Sequence, residues 1–136
     1  MKTLILDEKK WRCGEYSLNP ENRRGKGRTR MKNYEGFECC LGQFSKQIDK
    51  TIKNKHLLGY SNPARISFER NKTITGLSVK RNGTFELTKL ATEAMNINDD
   101  SCTSVEQKVK DLKRIFSKNG YKIVFKPMKR TKNAHL

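Results

Sequence analysis

Acidic side chains are scarce in this chain: fourteen Asp and Glu stand against thirty Lys and Arg in 136 residues, a formal charge of +16. An excess of that size repels itself in a compact monomer, so the expected partner is a polyanion that screens it. Long apolar runs are also missing. Before Asp7 the only one is Leu4 to Leu6, too short for a secretory core or a membrane span, which sets the expectation of a cytoplasmic protein with no membrane partner. Paired cysteine spacings are absent as well. Cys13, Cys39, Cys40 and Cys102 contain no C-x-x-C, and His56 and His135 no H-x₃-H. No metal or cofactor is therefore expected, and in a chain without an export signal the cysteines read as reduced, buried thiols. A Cys-His nucleophile on His56 has nothing to orient it. No Gly-Lys-Ser/Thr follows the glycines, which excludes a Walker loop.

Apolar residues are few, 34% of the chain with a mean hydropathy of -0.88, yet they are grouped periodically, which favours a folded domain over disorder. A chain of this length suits one core. Thr3 to Leu6 reads as a short strand, and Asp7 to Cys13 as a turn carrying Trp11, the only Trp. Phe37, Leu41, Phe44, Ile48 and Ile52 recur at helical spacing, and Gly42 within that stripe suggests close approach by another backbone. Asn54 to Pro63 reads as a connection. Ile74 to Val79, then Asn82-Gly83, then Phe85 and Leu87 form a hairpin pattern with type I′ turn chemistry. Leu87, Leu90, Ala91, Ala94 and Met95 also fit a helix, so the second arm is short and a helix is expected over about Leu87 to Met95.

Thr103 and Glu106 stand at capping-box spacing before Val105, Val109, Leu112 and Phe116, with Asn119-Gly120 as a stop. Tyr121, Ile123 and Phe125 then alternate as a strand that Pro127 ends. The order predicts an α+β fold: one small compact domain over 1–127, a short sheet with about three helices on one face, and a basic flexible tail over 128–136.

Positive charge concentrates in two places. Between Gly14 and Gly36 apolar periodicity fails, and the segment reads as a long loop. Within it Arg23, Arg24, Lys26, Arg28, Arg30 and Lys32 put six bases in ten positions. Arg offers paired donors to phosphate oxygens, and Gly25 and Gly27 leave backbone amides open to a close anion. A solvated loop is the bland alternative. The second concentration runs from Lys108 to Lys132, with ten bases and one acid, Asp111. Lys129, Arg130 and Lys132 are its terminal members. Tyr16, Tyr34 and Tyr121 lie near these segments as possible stacking platforms, although alternation also places Tyr121 in the core.

Three sets of residues resemble one family: Trp11-Arg12-Cys13-Gly14, Glu35-Gly36-Phe37-Glu38-Cys39-Cys40-Leu41-Gly42-Gln43, and Met95-Asn96-Ile97-Asn98-Asp99-Asp100. Together they are similar to small uncharacterised proteins encoded mostly by bacteriophages. The resemblance implies a phage setting without an activity. Trp11 and Phe37 read as core anchors, and Asn98 to Asp100 as a cap and turn.

The first expectation is a non-enzymatic protein holding nucleic acid, DNA or RNA, by its phosphates. Arg23, Arg24, Lys26, Arg28 and Arg30 are its principal contacts, and Lys129, Arg130 and Lys132 its auxiliaries. The alternatives are a host-takeover or anti-defence protein binding an anionic nucleotide or a host protein, and a small metal-dependent nuclease using Glu93, Asp99 and Asp100.

Overall fold

A computed structural model describes residues 1–13, 31–32, 36–100 and 102–127. The chain is a small α+β domain. In order its elements are β1 (Lys2–Asp7), α1 (Cys40–Ile48), α2 (Asn54–Leu57), α3 (Pro63–Arg70), β2 (Ser78–Arg81), β3 (Thr84–Leu87), α4 (Lys89–Asp99), α5 (Val105–Ser117) and β4 (Tyr121–Lys126). The expected short sheet is two separate pairs. β1 lies parallel to β4, joining opposite ends of the described chain, and β2 pairs antiparallel with β3. Parallel pairing requires a long crossover, and here the helices and the hairpin supply it.

Helix boundaries follow local chemistry. α5 is capped by Ser104, whose hydroxyl accepts from the Gln107 amide at 3.1 Å, one residue later than the capping-box spacing suggested. Its C-terminal turn is released by Gly120 at φ +84°, a conformation that glycine adopts without steric cost. α4 starts at a Thr88 cap and runs to Asp99, beyond the expected Met95. α1 is shorter than its stripe, because Phe37 and Ile52 lie outside Cys40–Ile48. Gly42 is explained by a neighbour: a β-carbon there would sit 1.9 Å from the Met31 carbonyl oxygen. The hairpin turn holds Asn82 at φ +50° and Gly83 at φ +80°, but its first arm begins only at Ser78, since Ile74 to Ser78 forms a turn with Leu77 N–H and Ser78 N–H both donating to Ile74 O.

Two helices occupy the stretch around the expected connection. α2 is a single turn, too short to show periodicity. α3 starts with Asn62 accepting from the Arg65 amide and Pro63 in its first turn, a start signal followed by too few apolar residues to show helical periodicity.

The core gathers Leu4 and Leu6 of β1, Leu41 and Phe44 of α1, Leu90, Ala91 and Ala94 of α4, Leu112, Ile115 and Phe116 of α5, and Ile123 of β4. Phe44 and Phe116 meet edge to face at 5.0 Å between ring centroids, an arrangement that adds to area burial.

All three motif segments meet at Asn98. It is a buried residue inside α4, not a cap or turn. Its Oδ1 accepts from Trp11 Nε1 at 2.5 Å and from the Cys40 amide at 3.0 Å, while its Nδ2 donates to the Arg12 carbonyl at 3.1 Å. Trp11 is the expected core anchor, 1% exposed. Phe37 is half-buried, and the Arg12 guanidinium lies 3.6 Å above its ring. Asp100 keeps the expected turn role, accepting from the Cys102 amide and the Thr103 hydroxyl.

Candidate polyanion-binding surface

α5 divides its side chains by helical periodicity. Val109, Leu112, Ile115 and Phe116 enter the core, leaving Lys110, Lys113, Arg114 and Ser117 exposed, as is Lys118 just past the helix. β4 follows within three residues, and its alternation buries Ile123 while Lys122 and Lys126 remain exposed. Between helix and strand lies an open groove of about 470 Å³ lined by Met1, Lys110, Lys113, Arg114, Ser117, Tyr121, Lys122 and Ile123. Four cationic side chains and no carboxylate line it. Beyond Arg114 a second hollow, of about 230 Å³, brings in Lys89, Glu93, Lys118 and Asn119.

The charges on this face are weakly committed. Arg114 sits 3.8 Å from Asp111 and Lys89 4.0 Å from Glu93, with the cations 57% and 91% exposed. Exposed pairs of this kind are worth little and yield to a competing anion. Chemically the surface can take oxygen anions: an Arg for paired donation, lysines as point charges, and the Ser117 hydroxyl nearby.

Lys108 begins the second basic stretch of the sequence but does not belong to this surface. It is fully buried, and its Nζ donates to the carbonyls of Ile97, Asn98 and Asp100 at 2.9, 2.8 and 2.5 Å. Those carbonyls lie at the C-terminal end of α4, where intrahelical donors run out and a positive charge is favourable. Tyr121 is also structural, with its ring edge-on to Phe116 at 5.9 Å.

Of the residues expected to meet phosphate, Arg23, Arg24, Lys26, Arg28, Arg30, Lys129, Arg130 and Lys132 lie outside the described residues, as do Tyr16, Tyr34 and the tail. Lys32 is described. Its Nζ donates to the Gly36 carbonyl at 3.4 Å and lies 3.9 Å from the buried Glu38 carboxylate, which Lys46 approaches to 2.8 Å. Burial lowers the pKa of Lys32, with Glu38 opposing. This ammonium already has an anionic neighbour within the fold.

The other candidates have local roles. His56 Nδ1 accepts from the Lys53 amide at 2.8 Å and caps α2. Burial, followed by the nearby Arg70, lowers its pKa. Cys13, Cys39 and Cys40 are buried and Cys102 is exposed, so the expectation of buried thiols fits three positions. Burial pushes the Cys39 thiol up to about 12 and Cys40 well above the ordinary range, which suppresses the reactive thiolate. Among the described residues no group of three or more His, Cys, Asp or Glu is placed to hold a metal ion. No helix among them is long and apolar enough to cross a membrane. Compared with known proteins, the chain matches no family model, no curated protein and no solved structure.

The sequence pointed to a basic stretch here without distinguishing its members. Helical spacing of Lys110, Lys113, Arg114 and Ser117 was the available signal.

Proposed function

We propose that this protein binds nucleic acid through backbone phosphates, without a catalytic step, as a small phage-type accessory protein of the cytoplasm. The observation that carries the reading is the α5–β4 groove, where Lys110, Lys113, Arg114 and Lys122 surround one opening whose lining holds no carboxylate. Backbone phosphates are the polyanion that such a surface fits, because their charge recurs along the strand and asks for position rather than base identity. The arginine-rich segment Arg23 to Arg30 and the tail residues Lys129, Arg130 and Lys132 supply further phosphate contacts in this reading.

Each phosphate contact contributes about 0.9 to the salt slope on duplex DNA, so the four groove cations together account for a slope of about -3.6. Binding to a labelled duplex and to a single strand of matched length, measured from low to moderate salt, tests this. Reversing Lys110, Lys113, Arg114 and Lys122 to Glu is expected to remove that part of the slope while leaving the fold intact. Affinity that is absent at low salt, or indifferent to salt, rejects the reading.

A further inference from the structure

The hollow beyond Arg114 differs in kind from the groove beside it. It lies where the first turns of α4 meet the end of α5, and helical spacing brings Leu90 and Glu93 to it from one side and Arg114 and Ile115 from the other. Leu90 and Ile115 belong to the core and close its floor. Arg114 stands on the wall that the hollow shares with the groove, since it lines both. Asn119 completes the rim. Its Nδ2 donates one hydrogen to the Ile115 carbonyl at 2.8 Å, which leaves a second N–H and the amide oxygen for another molecule.

Glu93 is the informative residue. It is the one acid lining the hollow among the described residues, and it is loosely held: Lys89 lies 4.0 Å away with 91% of its side chain exposed. A carboxylate accepts hydrogen bonds and donates none, so beside it a neutral group carrying N–H donors is favoured over a second phosphate. A planar guanidinium such as Arg114 stacks on flat heterocycles as well as pairing with phosphate. An apolar floor, a stacking wall, one acceptor and one amide together match a nucleobase, and the shared Arg114 sets that base next to a phosphate in the groove.

We infer that the hollow between α4 and α5 reads one unpaired base of a bound single strand and prefers cytosine or adenine to thymine or uracil. The inference rests on the phosphate-binding reading and adds a base preference to it. Cytosine and adenine carry an exocyclic amino group beside a ring nitrogen that accepts. The amino group donates to the Glu93 carboxylate, and the ring nitrogen accepts from the remaining N–H of Asn119. Thymine and uracil present a carbonyl oxygen in place of the amino group, which sets two acceptors face to face. In a duplex that edge is taken by the complementary strand, so the contact requires an unpaired base.

The test measures binding of the full chain to an all-thymine DNA strand and to strands of the same length in which alternate thymines are replaced by cytosine or by adenine, all at one salt concentration. The mixed strands are expected to bind at least about fivefold more tightly than the all-thymine strand. Glu93→Gln should cut that ratio to below about twofold, because its side-chain amide can donate to the thymine oxygen as well as accept. The salt slope should not change, since no phosphate contact is removed. If Glu93 acted through its charge alone, the variant would tighten every strand alike, so a preserved ratio overturns the inference. Equal binding of the parent protein to all the strands also overturns it and leaves the phosphate-binding reading standing, whereas failure to bind any strand at low salt rejects both. Annealing each strand to its complement supplies the second measurement. The preference should vanish in the duplexes, and a preference that persists there would come from duplex shape and not from the hollow; the inference then falls.

Discussion

Lys108 and Lys110 stand two residues apart on α5 and do opposite work. Lys108 is buried with three carbonyl acceptors, holding the end of α4 beside the Asn98 tie. Lys110 is exposed beside a groove free of carboxylates. A lysine enclosed by fixed acceptors is a structural part, because removing it strands buried carbonyls. A lysine left in water costs the fold almost nothing to change and remains available to an incoming anion. Charge count therefore says little about binding until each cation's partners are known.

Breaking the buried side of this contrast should have the largest effect. Asn98→Leu orphans the Trp11 indole N–H, the Cys40 amide and the Arg12 carbonyl together. A loss of about 3–5 kcal/mol is expected by urea denaturation. Asn98→Asp keeps both accepted bonds but sets a buried carboxyl oxygen against the Arg12 carbonyl and the Asp99 carboxylate, so it should also be strongly destabilising. Lys108→Met should cost about 3 kcal/mol, with α4 fraying at its C-terminal end, read as faster amide exchange near Cys102.

The exposed side should respond in the opposite sense. Lys110→Glu with Lys113→Glu should stay within about 0.5 kcal/mol of the parent in stability. Nucleic-acid affinity should fall, and the salt slope should shrink by about 1.8. If Lys108→Met instead weakened binding while leaving stability unchanged, the assignment of the two lysines would be reversed.

The smallest effect concerns a surface acid. Asp49 accepts from the Thr51 hydroxyl at 2.6 Å and the Thr51 amide at 2.9 Å, with Arg70 at 3.4 Å and Lys72 at 3.9 Å. The Thr51 hydroxyl first, then its amide and Arg70, hold the carboxyl down to about 2, against an ordinary value of 3.8. A carboxyl depressed in the folded state stabilises above its unfolded pKa, and that contribution disappears as pH falls through the folded one. The stability gap between the parent and Asp49→Asn should therefore be constant above about pH 5 and close between pH 4 and 2. A gap unchanged at pH 2 would show that the carboxylate charge is not its source.

Local chemistry carried much of the fold into the sequence. The stripe of α5, the Asn82-Gly83 turn, the alternation of β4 and the reason for Gly42 were all legible, because each depends on residues close together in the chain or on one strong backbone preference. α3 was not, since Asn62-Pro63 announces a helix whose apolar face is too thin to show periodicity. Nor was Asn98, for a polar residue beside Asp99 and Asp100 reads as a turn unless its distant partners are known. At the surface, the chain revealed two basic stretches but not which lysines remain available.

By itself the sequence determined the sign of the surface, the α+β class and the amphipathic face of the last helix, all of which follow from composition and short-range periodicity. Tertiary structure alone decided that Trp11, Cys40 and Asn98 meet, that Lys108 points inward while Lys110 points out, and that Gln43 and Gln47 of α1 pair with the main chain of Asp7 and Ile5 in β1. Those facts depend on which groups from distant segments reach hydrogen-bonding distance, and a linear pattern does not encode that distance.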